Sequence, residues 1–103
     1  MQFLGVLRGN GLLSAGQETF GRVQFDIDGF LTRPGEIVAS GELRMIDGEL
    51  TSAFGRTDLI LTTDQGRTLK VRFSGSRKQM ACEAAHADIA GDLPAKGEWH
   101  RRD

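Results

Sequence analysis

A single cysteine, Cys82, cannot form an internal disulfide, which excludes a disulfide-stapled scaffold and fits a reducing cytoplasm. Net charge is nearly absent too. Thirteen basic side chains almost cancel fourteen acidic ones, so no global field draws the chain toward nucleic acid or acidic membranes. Long apolar runs are missing: no stretch approaches the roughly twenty residues needed to span a bilayer. The opening MQFLGVLRGNGLL carries an apolar run shorter than the roughly 7–15 residues of a signal-peptide core, with no basic segment before it. A soluble, cytoplasmic protein is expected. Catalytic signatures are missing as well: no nucleophile elbow, no zinc-protease helix and no cysteine–histidine spacing that a mechanism requires. The chain is therefore expected not to be an enzyme and to use no cofactor.

Glycine is abundant, at fourteen residues against two prolines. Disorder is not the explanation, because β-branched and aromatic residues are too frequent for a chain that cannot bury a core. Curved sheets need residues without a Cβ at bends and bulges. Gly5, Gly21, Gly41, Gly55, Gly75 and Gly91 each fall in or beside an expected strand.

The clearest element is residues 56–74, RTDLILTTDQGRTLKVRFS, which reads as one β-hairpin. A type I turn over Asp64 and Gln65 with Gly66 in the bulge position sets the register. Leu61 then faces Leu69, Leu59 faces Val71, and Thr57 faces Phe73. Leu59, Leu61, Leu69, Val71 and Phe73 share the apolar face, because side chains alternate across a strand. Asp58, Ile60, Thr62, Thr68, Lys70 and Arg72 occupy the other, with Asp58 and Arg72 expected to pair across the strands.

Elsewhere, residues 2–8 read as a strand and residues 9–17, GNGLLSAGQ, as a glycine-rich loop. Residues 18–28 alternate with Val23, Phe25 and Ile27 inward. Phe20 breaks that parity, which a bulge at Gly21 repairs. Residues 29–35 read as a turn. Residues 36–46 place Ile37, Ala39, Gly41, Leu43 and Met45 inward. Asp47-Gly48 is a hairpin signal pairing Met45 with Leu50 and leading into a short strand near Phe54. Residues 75–83 show no alternation. Residues 84–93 are a last strand, with Ala85, Ala87, Ile89, Gly91 and Leu93 on one face, stopped by Pro94. The expected fold is all-β: one antiparallel meander of six or seven strands over residues 1–94, curled into a small barrel, with residues 95–103 as a polar tail anchored by Trp99. A two-sheet sandwich is the alternative.

Metal chemistry finds little support, since His86 and His100 are the only histidines and a site needs three or four ligands. His86 and Asp88, on the outward face of the last strand, read as solvated. Asp26, Asp28 and Gly29 lack the ligand spacing of a calcium loop. One charge asymmetry remains. From Arg67 to Lys78 the chain carries five basic residues and no acid. Arg67, Lys70, Arg72, Ser74, Ser76, Arg77 and Lys78 are the candidate anion site, where arginine forks and hydroxyls meet a phosphate or carboxylate. The stretch has no exposed aromatic for base stacking, so nucleic acid is not the expected partner. The expected role is a non-catalytic binding module for a small anionic ligand. The alternative is an interaction or assembly module, with a homodimer as its simplest form.

Overall fold

The computed structural model describes residues 2–33, 35–46, 53, 55–74, 84–95 and 97–100. They form β1 (Gln2–Ala15), β2 (Glu18–Leu31), β3 (Ile37–Met45), β4 (Leu59–Thr63), β5 (Thr68–Phe73) and β6 (Ala84–Gly91). Neighbours run in the order β1-β2-β3-β6-β5-β4, and β4 returns to β1, so the antiparallel sheet is a closed barrel. Strands β1 to β3 and β4 to β6 are two three-strand meanders, joined by the pairings β3–β6 and β1–β4. This closure excludes the two-sheet sandwich.

Six strands enclose less space than the eight whose interior side chains just fill. Leu13, Val23, Phe25, Ile27, Leu43, Leu59, Leu61 and Leu69 are at most 1 % exposed and pack the inside. Burial of each such side chain stabilises the fold by about 1.5–3 kcal/mol. The alternation expected for β2 and β3 is observed. Val23, Phe25, Ile27, Ala39, Leu43 and Met45 lie in the core, while Arg22, Gln24, Glu42 and Arg44 are exposed. A barrel so filled has to work from its outer surface.

The hairpin register agrees with expectation, pairing Leu59 with Val71, Leu61 with Leu69 and Thr62 with Thr68. Its turn is closed by Thr63 N–H donating to the Arg67 carbonyl at 2.9 Å and Gly66 N–H donating to the Thr63 carbonyl at 2.9 Å. The bulge in β2 is also present. Leu13 faces Gly21 and Ser14 faces Thr19, so Phe20 is the extra residue. Its ring packs against the core, and the Arg56 guanidinium sits 5.9 Å over it.

Three expectations are corrected. The supposed loop over residues 9–17 is the second half of β1, and only Gly16 and Gln17 turn the chain. The glycines there permit close packing: a Cβ on Gly9 would lie 3.1 Å from the Phe25 ring, and one on Gly11 would lie 2.6 Å from the Thr62 carbonyl oxygen. Strand β2 continues through Gly29 to Leu31, so the turn before β3 is shorter than residues 29–35. Asp58 and Thr57 precede β4, and Asp58 pairs with Arg56 rather than Arg72. The expected Asp47-Gly48 hairpin, the strand after it and residues 75–83 lie outside the described residues.

The C-terminal segment completes the wall. Strand β4 covers only Gly11 to Ser14 of the long β1. Nearer the start of β1, Val6 N–H donates to the His100 carbonyl at 2.7 Å and His100 N–H donates to the Val6 carbonyl at 3.2 Å. Trp99 fixes this segment, its indole N–H donating to the Pro94 carbonyl at 3.1 Å. The Trp99 ring fills the space that a side chain at Gly29 would need, since a Cβ there would lie 2.6 Å from it.

Gly66 has φ +92°, and a Cβ on it would meet nothing within 4 Å, so a substitution there meets backbone strain alone. Gly66→Val is expected to destabilise the protein by about 1–3 kcal/mol, read by chemical denaturation. An unchanged midpoint would contradict the bulged turn.

Candidate functional site

Several of the described arginines are committed to neighbouring carboxylates. Arg22 donates to Asp64 through Nη1 at 2.8 Å and Nη2 at 2.7 Å, a two-pronged bond tying β2 to the β4–β5 turn. Arg56 grips Asp58 through Nε at 3.0 Å and Nη2 at 2.8 Å, with Glu18 at 3.4 Å. These hydrogen bonds and charges raise the pKa of both guanidiniums and hold the Asp58 and Asp64 carboxyls below their ordinary value. Arg44 lies 3.5 Å from Glu42.

The basic stretch chosen from the sequence is divided by the fold. Lys70 and Arg72 are exposed on the outer face of β5, where Arg72 stands opposite Asp88 of β6 and Lys70 opposite Ala90. Ser74 is bound to the wall, its N–H and hydroxyl both donating to the His86 carbonyl, at 3.0 and 3.4 Å. Ser76, Arg77 and Lys78 lie outside the described residues, as does Cys82. Arg67 is elsewhere, on the seam between β1 and the C-terminal segment.

That seam contains a cleft of about 300 Å³. Strand β1 contributes Leu7 and Arg8, the β4–β5 turn contributes Gln65 and Arg67, and Pro94, Glu98 and His100 close the far side. Arg67 is largely covered, with 26 % of its side chain exposed. It donates through Nη1 to the Asp92 carbonyl at 3.3 Å and through Nη2 to Glu98 Oε2 at 3.5 Å. Glu98 makes its shorter bond elsewhere, Oε1 accepting from Ala95 N–H at 2.7 Å. Arg8 Nε lies 3.2 Å from Asp26. The lining thus carries Arg8, Arg67 and His100 beside Glu98, and Arg67 Nη1 also lies 3.9 Å from the Asp92 carboxylate. Such a set of basic residues is suited to holding a carboxylate or phosphate group.

Two other surface hollows differ in charge. One of about 350 Å³ sets Arg8 and Arg44 against Asp26 and Glu42. The other, of about 260 Å³, is dominated by Asp26, Asp28 and Glu42 beside His86. His86 and Asp88 are exposed, opposite Glu42 and Ser40 respectively. Among the described residues, no three His, Cys, Asp or Glu side chains group to hold a metal ion, and no helix is long and apolar enough to cross a membrane. On the outer face of β1, β2 and β3, Phe3, Phe30 and Val38 form one cross-strand row, with Phe3 46 % and Val38 38 % exposed.

Comparison with family models, curated proteins and solved structures finds no match to this chain. The cleft therefore rests on its own geometry. Sequence reasoning selected Arg67 but missed Arg8, Gln65 and His100. No local spacing signals them, because only barrel closure brings the two ends of the chain to the turn.

Because its folded pKa is depressed, Asp64 contributes stability above the ordinary carboxylate value of about 3.9, lost as pH falls through the folded value. Asp64→Asn is expected to lower Tm at pH 7, and the difference from the parent should shrink as the pH falls below the ordinary carboxylate value. Thermal scans across that range check this, and a difference persisting in acid would assign the effect to something other than the charge.

Proposed function

We propose that this barrel is a non-catalytic, cytoplasmic binding module for a small anionic ligand, held in the seam cleft by Arg8, Arg67, Gln65 and His100. The observation that carries this reading is that Arg8, Arg67 and His100 line one hollow, with Glu98 and Asp92 beside Arg67 and Asp26 beside Arg8 as the opposing carboxylates. Its volume is at the small end of ligand pockets, about 300–1,000 Å³, so the ligand is compact. Leu7 and Pro94 supply apolar wall, as such pockets require. The carboxylates touching Arg67 do not preclude binding, since ion pairs exposed to solvent contribute only about 0–1 kcal/mol and a ligand oxygen can replace them. The single cysteine supports the cytoplasm. The charged outer strand faces and apolar interior are the reverse of a membrane barrel's arrangement and support a soluble protein.

A second reading, assembly with a second copy of the chain, is favoured by the exposed row Phe3, Phe30 and Val38. The adjoining row runs Asp28, Ser40, Asp88 and Arg72, so a two-fold could set acids of one copy against the base of the other. A strict monomer by light scattering across concentration would remove that reading.

The cleft is tested by titrating labelled protein with inorganic phosphate at low and moderate salt while following amide shifts. Shifts confined to Arg8, Gln65, Arg67 and His100 that weaken with salt are expected. Arg67→Ala should reduce the apparent affinity by about tenfold or more, the cost of a lost charge-assisted bond. Shifts centred on Lys70, Arg72 and Ser74 would move the site to the outer face of β5, and no shifts would end the proposal.

A further inference from the structure

Alternate residues of a strand direct their N–H and C=O to the same edge. On the seam edge of β1, Val6 exchanges both bonds with His100, and the Asn10 carbonyl accepts from Asp64 N–H at 3.0 Å. Arg8, midway between them, must present its own N–H and C=O to that edge. Continuing the antiparallel register from Val6 and His100 would set Glu98 opposite Arg8. Glu98 instead turns its N–H to the Ala95 carbonyl at 2.9 Å. Among the described residues no backbone group takes its place, so Arg8 offers a donor and an acceptor to the cleft, beside the Arg67 guanidinium.

We propose that the ligand of this cleft is the C-terminal end of an extended peptide. The inference rests on the anion-binding reading and narrows it. A peptide residue supplies a C=O for the Arg8 N–H and an N–H for the Arg8 C=O, adding one rung to the edge of β1. Its terminal carboxylate then reaches Arg67, with Gln65 and His100 as further donors. Inorganic phosphate can use the N–H and the guanidinium, but it has no backbone with which to continue along the strand edge. The walls formed by Leu7 and Pro94, and the volume of about 300 Å³, suit a small apolar final side chain.

The test uses the full chain, isotope-labelled, with three probes: acetyl-Gly-Ala-Val as the free acid, the same peptide as its C-terminal amide, and inorganic phosphate. The acid is expected to shift Arg8 and Arg67, to slow exchange of the Arg8 amide proton, and to bind about tenfold or more tightly than the amide. Arg67→Gln should abolish that preference. If this variant fails to fold, exchange at the Arg8 amide of the parent decides, because only a ligand bonded to the strand edge protects it. Equal binding of acid and amide, or peptide binding without protection at Arg8, overturns the inference. Phosphate binding in the cleft without peptide binding overturns it while leaving the anion-binding module intact. Failure of all three probes to bind removes both.

Discussion

The outer edge of β1 is the constraint on which the rest of this structure depends. At fourteen residues, β1 is longer than the five-residue β4 that flanks it on the closing side. Backbone polar groups left unpaired away from water are costly, so the remainder of that edge needs another partner. It comes from the far end of the sequence, where Trp99 locks a short segment and His100 pairs with Val6. The barrel is thus closed by two unrelated segments, and the cleft is the place where they fail to meet.

A wall seam differs in chemical possibility from the rest of a small barrel. Inside, apolar side chains leave the narrow interior to packing. On the outer strand faces, side chains of both signs face one another across neighbouring strands, as Arg72 and Asp88 do. At the seam, side chains, strand backbone and a turn converge from different directions. The Arg22–Asp64 bond contributes by holding the β4–β5 turn against β2, which keeps Gln65 and Arg67 at the edge of β1.

Much of the fold was legible in the residues. The hairpin register followed from Gly66 and from alternation over Leu59, Leu61, Leu69 and Val71, because local turn chemistry and burial point the same way there. Phe20 betrayed its bulge by breaking parity. The second half of β1 was misread because glycine carries two meanings. Gly9 and Gly11 are not turn residues; they make room for Phe25 and for the backbone at Thr62. The pairing of Asp58 was misjudged for a related reason, since Arg56 reaches it within the chain before Arg72 can across the sheet. The site was legible only through Arg67. Its companions Arg8 and His100 come from the two ends of the described chain, and nothing in local spacing can announce a contact made by closure.

The pairing of Val6 with His100 also sets a clock on biosynthesis. At about 5–20 residues per second, roughly five to twenty seconds separate the making of the two residues, and through that interval the edge of β1 at Val6 lacks this partner. An uncovered strand edge is a template for association between nascent chains. Along this edge, however, Gly5, Gly9 and Gly11 supply no side chains for a stranger to pack against, and Arg8 adds a charge. The residues that let the finished wall close tightly also make it a poor docking surface while it waits.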